Sequence, residues 1–204
     1  KDFNSIPKPD INHYYDLANF YKSKELYKKS TEFYTLALKK INNKHPLFPK
    51  ILERRGTSFE RIDMWNKGEK DLLESLKILP DQPHVLNYLA YTWIDKGLNL
   101  DKALKMLIKA NNLRKNDGYI TDSLGWAYFL LKNYSEAEIF MQRAVELMPS
   151  DPVINDHYGD TLWMLNKNIQ ARYFWNYVLK LDGIDKELED NIKKKLIHGI
   201  NKKL

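Results

Sequence analysis

The chain has no cysteine in its 204 residues, so disulfide bonds, cysteine nucleophiles and cysteine-ligated zinc sites are excluded. Glycine and proline are scarce, with eight of each, which disfavours an all-β fold because short strands need frequent turn residues. No apolar run approaches the length of about 18 residues that a membrane-spanning helix requires. The chain begins at Lys1 rather than at a methionine, which indicates a segment of a longer protein. Its targeting therefore cannot be judged from this sequence.

The sequence also lacks the short motifs of common enzyme classes. It contains no glycine-rich phosphate loop, no HExxH zinc motif and no nucleophile elbow. Its five histidines are scattered along the chain rather than clustered. These absences predict no catalytic activity and no cofactor.

What the sequence does contain is a core-forming composition with an internal period. Hydrophobic residues make up 43% of the chain and aromatic residues 13%, enough for a substantial core. Gly125, in "YITDSLGWAYFL", and Gly159, in "NDHYGDTLWML", lie 34 residues apart, each inside an amphipathic helical pattern. Ala137 and Ala171 repeat the same spacing. A period of this length indicates an array of helix–turn–helix units.

This pattern resembles the tetratricopeptide repeat (TPR), and it recurs in five copies along most of the chain. The copy that matches the family pattern best does so through Leu124, Gly125, Tyr128, Ala137, Ala144 and Pro149. The resemblance predicts an all-α, TPR-type α-solenoid, a right-handed superhelix of helix–turn–helix units with a C-terminal capping helix. Segments such as "YITDSLGWAYFLLKNYSEA" are also similar to the C-terminal part of proteobacterial TPR proteins that are exported or lipid-anchored. That closer resemblance implies a periplasmic or envelope-associated location, although Ala90 stands where that group more often has glycine.

The period divides the chain into units. Residues 1–10 are interpreted as a linker or the remnant of a preceding repeat, and residues 186–204 as a capping helix. Between them the pattern predicts a divergent first repeat with an insertion at 11–48, followed by repeats at 49–82, 83–117, 118–151 and 152–185.

Gly125 requires an explanation, because glycine inside a helix costs about 1 kcal/mol relative to alanine. We predict that it marks a close crossing between the two helices of its unit, where no Cβ fits. Ala137, and Ala171 in the next unit, are the predicted small residues on the facing helix.

The TPR resemblance implies that the first helix of each unit lines a concave groove that binds a peptide or a partner segment. In the last three repeats the groove positions are aromatic, acidic or amide residues: Asn87, Tyr91, Asp95, Asp122, Trp126, Phe129, Asp156, Asp160 and Trp163. Aromatic anchors and carboxylates together favour a partner that carries lysine or arginine beside an apolar residue. At this spacing Tyr91 and Trp126 would also suit the core between repeats. Trp93, Tyr128 and Trp175 are assigned to the core.

The function predicted from this resemblance is a protein–protein interaction scaffold or adaptor, with bacterial envelope protein processing or assembly as a setting. Two alternatives remain. Asp156, His157 and Asp160 can share a helix face and form a metal-dependent hydrolase site, although metal ligands usually come from several elements. The exposed aromatic groove can instead bind a second copy in a self-assembling structural module, so the oligomeric state stays open.

Two further classes of partner are disfavoured. The net charge is +6, but the basic run "NIKKKLIHGINKK" lacks the interleaved aromatic residues of a nucleic-acid site, and we predict no nucleic-acid binding. Chaperone-binding TPR domains hold a C-terminal carboxylate with lysine, asparagine and arginine. The matching positions here are Tyr15, Asn19, Arg54, His84 and Tyr88. Only Asn19 fits that clamp.

Overall fold

The computed structural model describes residues 8–200, and over this range the chain is helical, without strands. The predicted all-α class is confirmed. The sequence pattern predicts helices that begin at residues 12, 27, 48, 66, 84, 101, 119, 135, 153, 169 and 186, and each described helix begins within one residue of these positions. Residues 1–7 of the predicted linker and 201–204 of the predicted capping helix lie outside the described part. The helices are α1 (Ile11–Ser23), α2 (Tyr27–Leu38), α3 (Phe48–Glu60), α4 (Trp65–Ile78), α5 (Pro83–Asp95), α6 (Leu100–Leu113), α7 (Gly118–Leu130), α8 (Tyr134–Leu147), α9 (Pro152–Met164), α10 (Asn168–Val178) and α11 (Lys186–His198).

The chain divides into two compact units, Lys1–Val85 and Leu86–Leu204, with the division in the first turn of α5. We call them the first unit and the second unit. In the first unit α1 packs on α2 and α3 packs on α4. In the second unit α7 packs on α8, α9 packs on α10, and α11 lies against α10. Sequential helices therefore form the packed pairs, as in a helix–turn–helix array.

The closest helix crossing in the first unit joins α3 to α4 at two glycines. A Cβ atom added to Gly68 would lie 2.7 Å from the carbonyl oxygen of Gly56, which is backbone and has no rotamer to change. Both glycines are buried. Here the two helix backbones touch, and the absence of a side chain on Gly68 is a packing requirement.

An arginine connects three helices of the same unit. The guanidinium of Arg55, on α3, donates from Nε to Asp71 Oδ2 at 2.6 Å and from Nη2 to Asp71 Oδ1 at 2.8 Å, which is a bidentate pair with α4. Its Nη1 donates to Thr35 Oγ1, on α2, at 3.0 Å. Both charged side chains are largely buried. The bidentate pair and the hydrogen bond to Thr35 therefore hold the three helices in register.

The corresponding glycines of the second unit face bulky side chains, and the predicted alanine partners were wrong. A Cβ on Gly125 would lie 3.0 Å from the side chain of Met141, and one on Gly159 would lie 2.5 Å from Nε1 of Trp175. Ala137 and Ala171 are fully buried in the same helix pairs but are not the atoms nearest to either glycine. The glycines therefore make room for a flexible thioether in one repeat and a rigid indole in the next.

Aspartates begin three helices of the second unit at a constant spacing. Asp117, Asp151 and Asp185 are the N-cap residues of α7, α9 and α11, and each side chain accepts a hydrogen bond from a backbone N–H in the first turn. These residues lie 34 positions apart. An N-cap satisfies backbone donors that the helix cannot pair, so the repeat period carries the helix start signals as well as the core.

Candidate partner-binding face

The nine predicted groove residues lie in the second unit, three each on α5, α7 and α9. We call their common surface the acidic face. The structure divides it into three groups: residues around the imidazole of His157, residues bound to α11, and residues of α5. The groups differ in how many of their side chains are already paired with, or covered by, other residues of the chain.

The first group is built on a buried ion pair between α7 and α9. Nδ1 of His157 lies 3.0 Å from Asp122 Oδ1 and 3.1 Å from Oδ2, and both residues are buried. Burial by itself lowers the pKa of His157, but the carboxylates of Asp122, Asp156 and Asp160 outweigh it and raise the pKa above the usual value. The imidazole therefore holds its proton more readily than a free histidine, and Asp122 is committed to this pair.

The imidazole of His157 forms the base of a stack with two aromatic rings. The ring of Trp126 stacks on His157 with centroids 4.0 Å apart and planes at 14°, and Phe129 stacks on Trp126 at 4.6 Å and 7°. Both rings are half-buried, and Trp126 also packs against the core cluster around Trp175. Trp126 therefore combines the two roles that the sequence left open, since one part joins the core and the rest lies at the surface.

The second group is bound by a lysine from α11. Nζ of Lys195 donates to Asp156 at 2.6 Å and to Asp160 at 2.8 Å, and Asp160 also accepts from Nε1 of Trp175 at 3.0 Å. Burial and the neighbouring Asp156 carboxylate raise the pKa of Asp160 to about 7, although Lys195 opposes that shift. Two of the predicted partner-binding carboxylates thus share one ammonium group of the same chain.

Trp163 belongs to the same group. Its Nε1 donates to the carbonyl oxygen of Ile200 at 3.0 Å, and Gly199 lies directly against its ring. The guanidinium of Arg172 lies 5.5 Å from the ring centroid and donates to the carbonyl oxygen of Leu196. The end of α11 therefore covers an indole that the sequence placed in the groove.

The third group, on α5, is the most open. Asp95 is exposed, whereas Asn87 and Tyr91 are half-buried. Burial and the charges of Asp122 and Asp95 raise the pKa of Tyr91, which places its hydroxyl near carboxylates of both α5 and α7. Oδ1 of Asn87 is buried and accepts no hydrogen bond.

Of the residues assigned to the core, Trp93 and Trp175 are buried. Tyr128 is only half-buried, and its ring stacks on Phe140 at 5.5 Å.

Four side-chain contacts between successive first helices share one sequence separation, which the sequence analysis missed. In the second unit Asp122 pairs with His157 and Asp160 with Lys195, both 35 residues apart. In the first unit Asn19 Oδ1 accepts from Arg54, and Lys22 donates to Thr57, again 35 residues apart. A search for complementary polar residues one position beyond the 34-residue period would have found these inter-repeat pairs.

The segment Asp156–Asp160 offers no support for the hydrolase alternative. Its two carboxylates both bind the ammonium of Lys195, and His157 is paired with Asp122. Over residues 8–200, no three histidine, aspartate or glutamate side chains come together as a metal site.

Comparison with known proteins adds the family. The family model described as "Tetratricopeptide repeat" matches residues 122–151. This match lies within the predicted fourth repeat and confirms the resemblance to the tetratricopeptide repeat. Over 110 residues the chain is 29% identical to a TPR repeat-containing protein of Pseudomonas aeruginosa, a match that covers 54% of this chain. The matched part is 18% of that relative, so the chain corresponds to less than a fifth of its length.

Solved TPR structures share the fold over most of the chain. PilF of Pseudomonas aeruginosa superposes with a TM-score of 0.74 at 14% identity, covering 93% of this chain and 85% of PilF. MamA of Desulfovibrio magneticus gives 0.73 at 16% identity, covering 84% of this chain and 94% of MamA. A thermophilic TPR protein of Thermus thermophilus gives 0.72 at 16% identity, with coverages of 92% and 99%. At these identities the likeness concerns the fold alone.

The tetratricopeptide-repeat fold supports a protein–protein interaction scaffold in general terms. Across residues 8–200, no helix has the length and apolar character needed to cross a bilayer.

Proposed function

We propose that this protein is an interaction scaffold or adaptor that binds a partner segment on the acidic face of the second unit. The observation that carries the proposal is the stack of Trp126 and Phe129 over His157, which leaves two large rings half-exposed. Tryptophan rings that are rigidly held and partly exposed are typical binding hot spots. Asp95 and Tyr91 supply polar chemistry on the neighbouring helix.

Some of the nine predicted binding residues are already bound by other residues of the same chain, so fewer are free to contact a partner directly. His157 occupies Asp122, Lys195 occupies Asp156 and Asp160, and Ile200 occupies Trp163. We therefore assign direct contact with the partner to the residues of α5 and α7 that stand outside these pairs: Asn87, Tyr91, Asp95, Trp126 and Phe129. The carboxylates of α9 act at longer range.

Helix α11 shows which kinds of side chain bind to the acidic face. On α11, Lys195 bridges two aspartates while the next residue, Leu196, packs against the core cluster of the second unit. We infer that the partner segment likewise carries lysine or arginine beside an apolar residue. The resemblance noted in the sequence suggests the bacterial envelope, and protein processing or assembly there, as the setting.

Peptide selection tests the proposal directly. A phage-displayed library of random peptides is panned against the wild-type chain, and selected peptides are measured by fluorescence polarisation against Trp126→Ala. Loss of a central aromatic anchor weakens binding by about 2 kcal/mol, or roughly thirtyfold. Selected sequences are expected to be enriched in lysine or arginine next to leucine, isoleucine or an aromatic residue.

Tyr173→Ala is the matched control, because Tyr173 is a highly exposed aromatic residue on α10 and lies outside the acidic face. Its affinity for the selected peptides should equal that of the wild type. Peptides that bind Trp126→Ala as tightly as wild type, or an enrichment in acidic sequences, would contradict the proposal.

A further inference from the structure

A cleft in the first unit lies between α2 and the turn that joins α3 to α4. Its volume is about 680 Å³, within the range of about 300–1,000 Å³ that is usual for ligand sites. One wall is a stripe along α2 from Lys28 to the C-cap residue Lys39, and these ends are eleven residue steps, or about 16 Å of helix, apart. The opposite wall is formed by the end of α3, the turn and the start of α4.

The floor of this cleft is apolar. Leu36, Phe59, Ile62 and Met64 line it, and Leu36 and Met64 are exposed to solvent. The ring of Phe59 is flanked by two cations, since Arg55 and Lys67 each lie 5.6 Å from its centroid. Solvent-exposed apolar side chains gathered in a concave site, rather than scattered singly, are characteristic of interaction surfaces.

The rim of the cleft is basic. Lys28 and Lys39 lie at the two ends of the α2 stripe and Lys67 lies on the opposite wall, with Glu32 as the acidic member of the lining. All three lysines are exposed. Cations around an apolar floor favour an anionic partner, because complementary charge steers association and excludes like-charged competitors.

The distribution of these lysines also selects the kind of anion. They stand at both ends of a groove about 16 Å long and on both of its walls. The single headgroup of a fatty acid or similar amphiphile meets one end of such a groove and leaves the other cations unpaired. A peptide segment with several carboxylates can meet all three while its apolar side chains contact Leu36 and Met64.

From this arrangement we infer that the cleft between α2 and the α3–α4 turn is a second interaction site, which binds an acidic protein segment carrying apolar side chains. Its charge preference is opposite to that of the acidic face, where we propose that a basic segment binds. The two sites use separate residues in separate units, so one site can be lost while the other is retained.

Fluorescence polarisation with defined probes tests this inference on the whole chain. The probe is a labelled peptide of about ten residues in which glutamate and aspartate alternate with pairs of leucine and phenylalanine. A second peptide has lysine at each acidic position, and dodecanoate serves as the amphiphile. The variants are Lys28→Glu/Lys39→Glu for the rim, Met64→Asp for the floor, and Lys50→Glu/Lys77→Glu as the charge-matched control outside the cleft.

The acidic peptide should bind wild type and the control variant equally. Reversal of the two rim charges should weaken its binding roughly tenfold or more at low salt, and Met64→Asp should weaken it at any salt. Circular dichroism checks that each variant remains helical. Methyl NMR signals of Leu36, Ile62 and Met64 should shift on binding.

Several results would overturn the inference. These are equal weakening in the control variant, a lysine peptide that binds as tightly as the acidic one, or no binding of the acidic peptide. A dodecanoate complex that shifts the same methyl signals and that the acidic peptide does not displace would assign the cleft to amphiphiles instead.

Discussion

In both units, side chains 35 residues apart connect successive first helices. The charges of these side chains differ between the units. In the first unit, Lys22 and Arg54 reach across to neutral oxygens of Thr57 and Asn19. In the second unit the corresponding surface is built on carboxylates, which bind histidine and lysine side chains from the next helix. The geometry of the repeat therefore fixes where polar groups meet, while the residues at those places decide the charge that a partner encounters.

The units also differ in how their helix pairs are held together. The α3–α4 pair relies on contact between two backbones at Gly56 and Gly68 and on the bidentate pair between Arg55 and Asp71. The α7–α8 pair relies on a flexible side chain, since Met141 fills the space beside Gly125. A backbone contact cannot adjust to an added atom, whereas a side chain can change its rotamer. This difference leads to opposite expectations for equivalent substitutions.

The largest expected effect is that of Gly68→Ala in the first unit. The added Cβ would lie 2.7 Å from a carbonyl oxygen of α3, so the helices must separate. Overpacking of this kind costs about 3 kcal/mol of unfolding free energy. Urea denaturation followed by circular dichroism measures the change.

Gly125→Ala is the matched control in the second unit. Its Cβ would meet the flexible side chain of Met141 at 3.0 Å, and alanine gains about 1 kcal/mol over glycine in helix propensity. The net change should stay within about 1 kcal/mol. Equal destabilisation by the two substitutions would show that the Gly56–Gly68 crossing is no tighter than the contact at Gly125.

An effect of intermediate size is expected from pH in the second unit. The pKa of Asp160 is about 7 in the folded chain, against 3.8 for an unperturbed aspartate. The folded state therefore holds this proton more tightly than the unfolded state, and the associated stability is lost as pH rises from about 4 towards 7. The pKa of His157 is also raised in the folded state. Stability therefore continues to fall as pH rises above 6.5, the ordinary pKa of histidine.

Asp160→Asn isolates that contribution, because asparagine stays neutral and can still accept the hydrogen bond from Trp175. The variant should gain stability relative to wild type as pH rises from 5 to 8, by on the order of 2 to 3 kcal/mol, since one pKa unit corresponds to about 1.4 kcal/mol and about two units separate pH 5 from the folded pKa of about 7. Urea titrations at several pH values give the difference. An unchanged difference across that range would mean that Asp160 is ionised throughout.

The smallest effect concerns the aspartate caps that recur in the second unit. Asp151 accepts from the backbone N–H groups of Val153 and Ile154 at 3.0 and 3.1 Å, whereas α3 in the first unit begins without a side-chain cap. Asp151→Ala should lower the unfolding free energy by about 1 kcal/mol. Asp182→Ala, an exposed aspartate in the loop before α11, is the control and should change it little.

The sequence was sufficient for the elements and for their order. The repeat pattern, with one added residue after Gly97 and an insertion in the first copy, located each described helix start to within one residue, because core positions recur in every unit. It was not sufficient for the contacts of individual residues. The partner of Gly125 proved to be Met141 rather than Ala137, since the atom that faces a glycine depends on the exact helix crossing and on a rotamer.

The candidate site shows the same limit more sharply. The repeat pattern predicted Asp156 and Asp160 as acidic groove positions. The neighbouring sequence gave no sign that Lys195, on another helix, would bind both carboxylates. The exposure of Trp163 likewise depends on Ile200, 37 residues further along the chain. The separation of 35 residues between paired polar groups was present in the sequence, yet it becomes recognisable only once the stacking of successive first helices is known.

The parallel contact between Trp126 and His157 also gives the protein an optical reporter of its own. An indole ring 4.0 Å from an imidazole emits differently when that imidazole is charged, because the cation accepts electron density from the excited ring. The emission of Trp126 therefore responds to the protonation of His157 and to any segment that covers the stack. Comparing the emission of Trp126→Phe with that of the wild type would separate this signal from the other four tryptophans, so binding can be followed without a label.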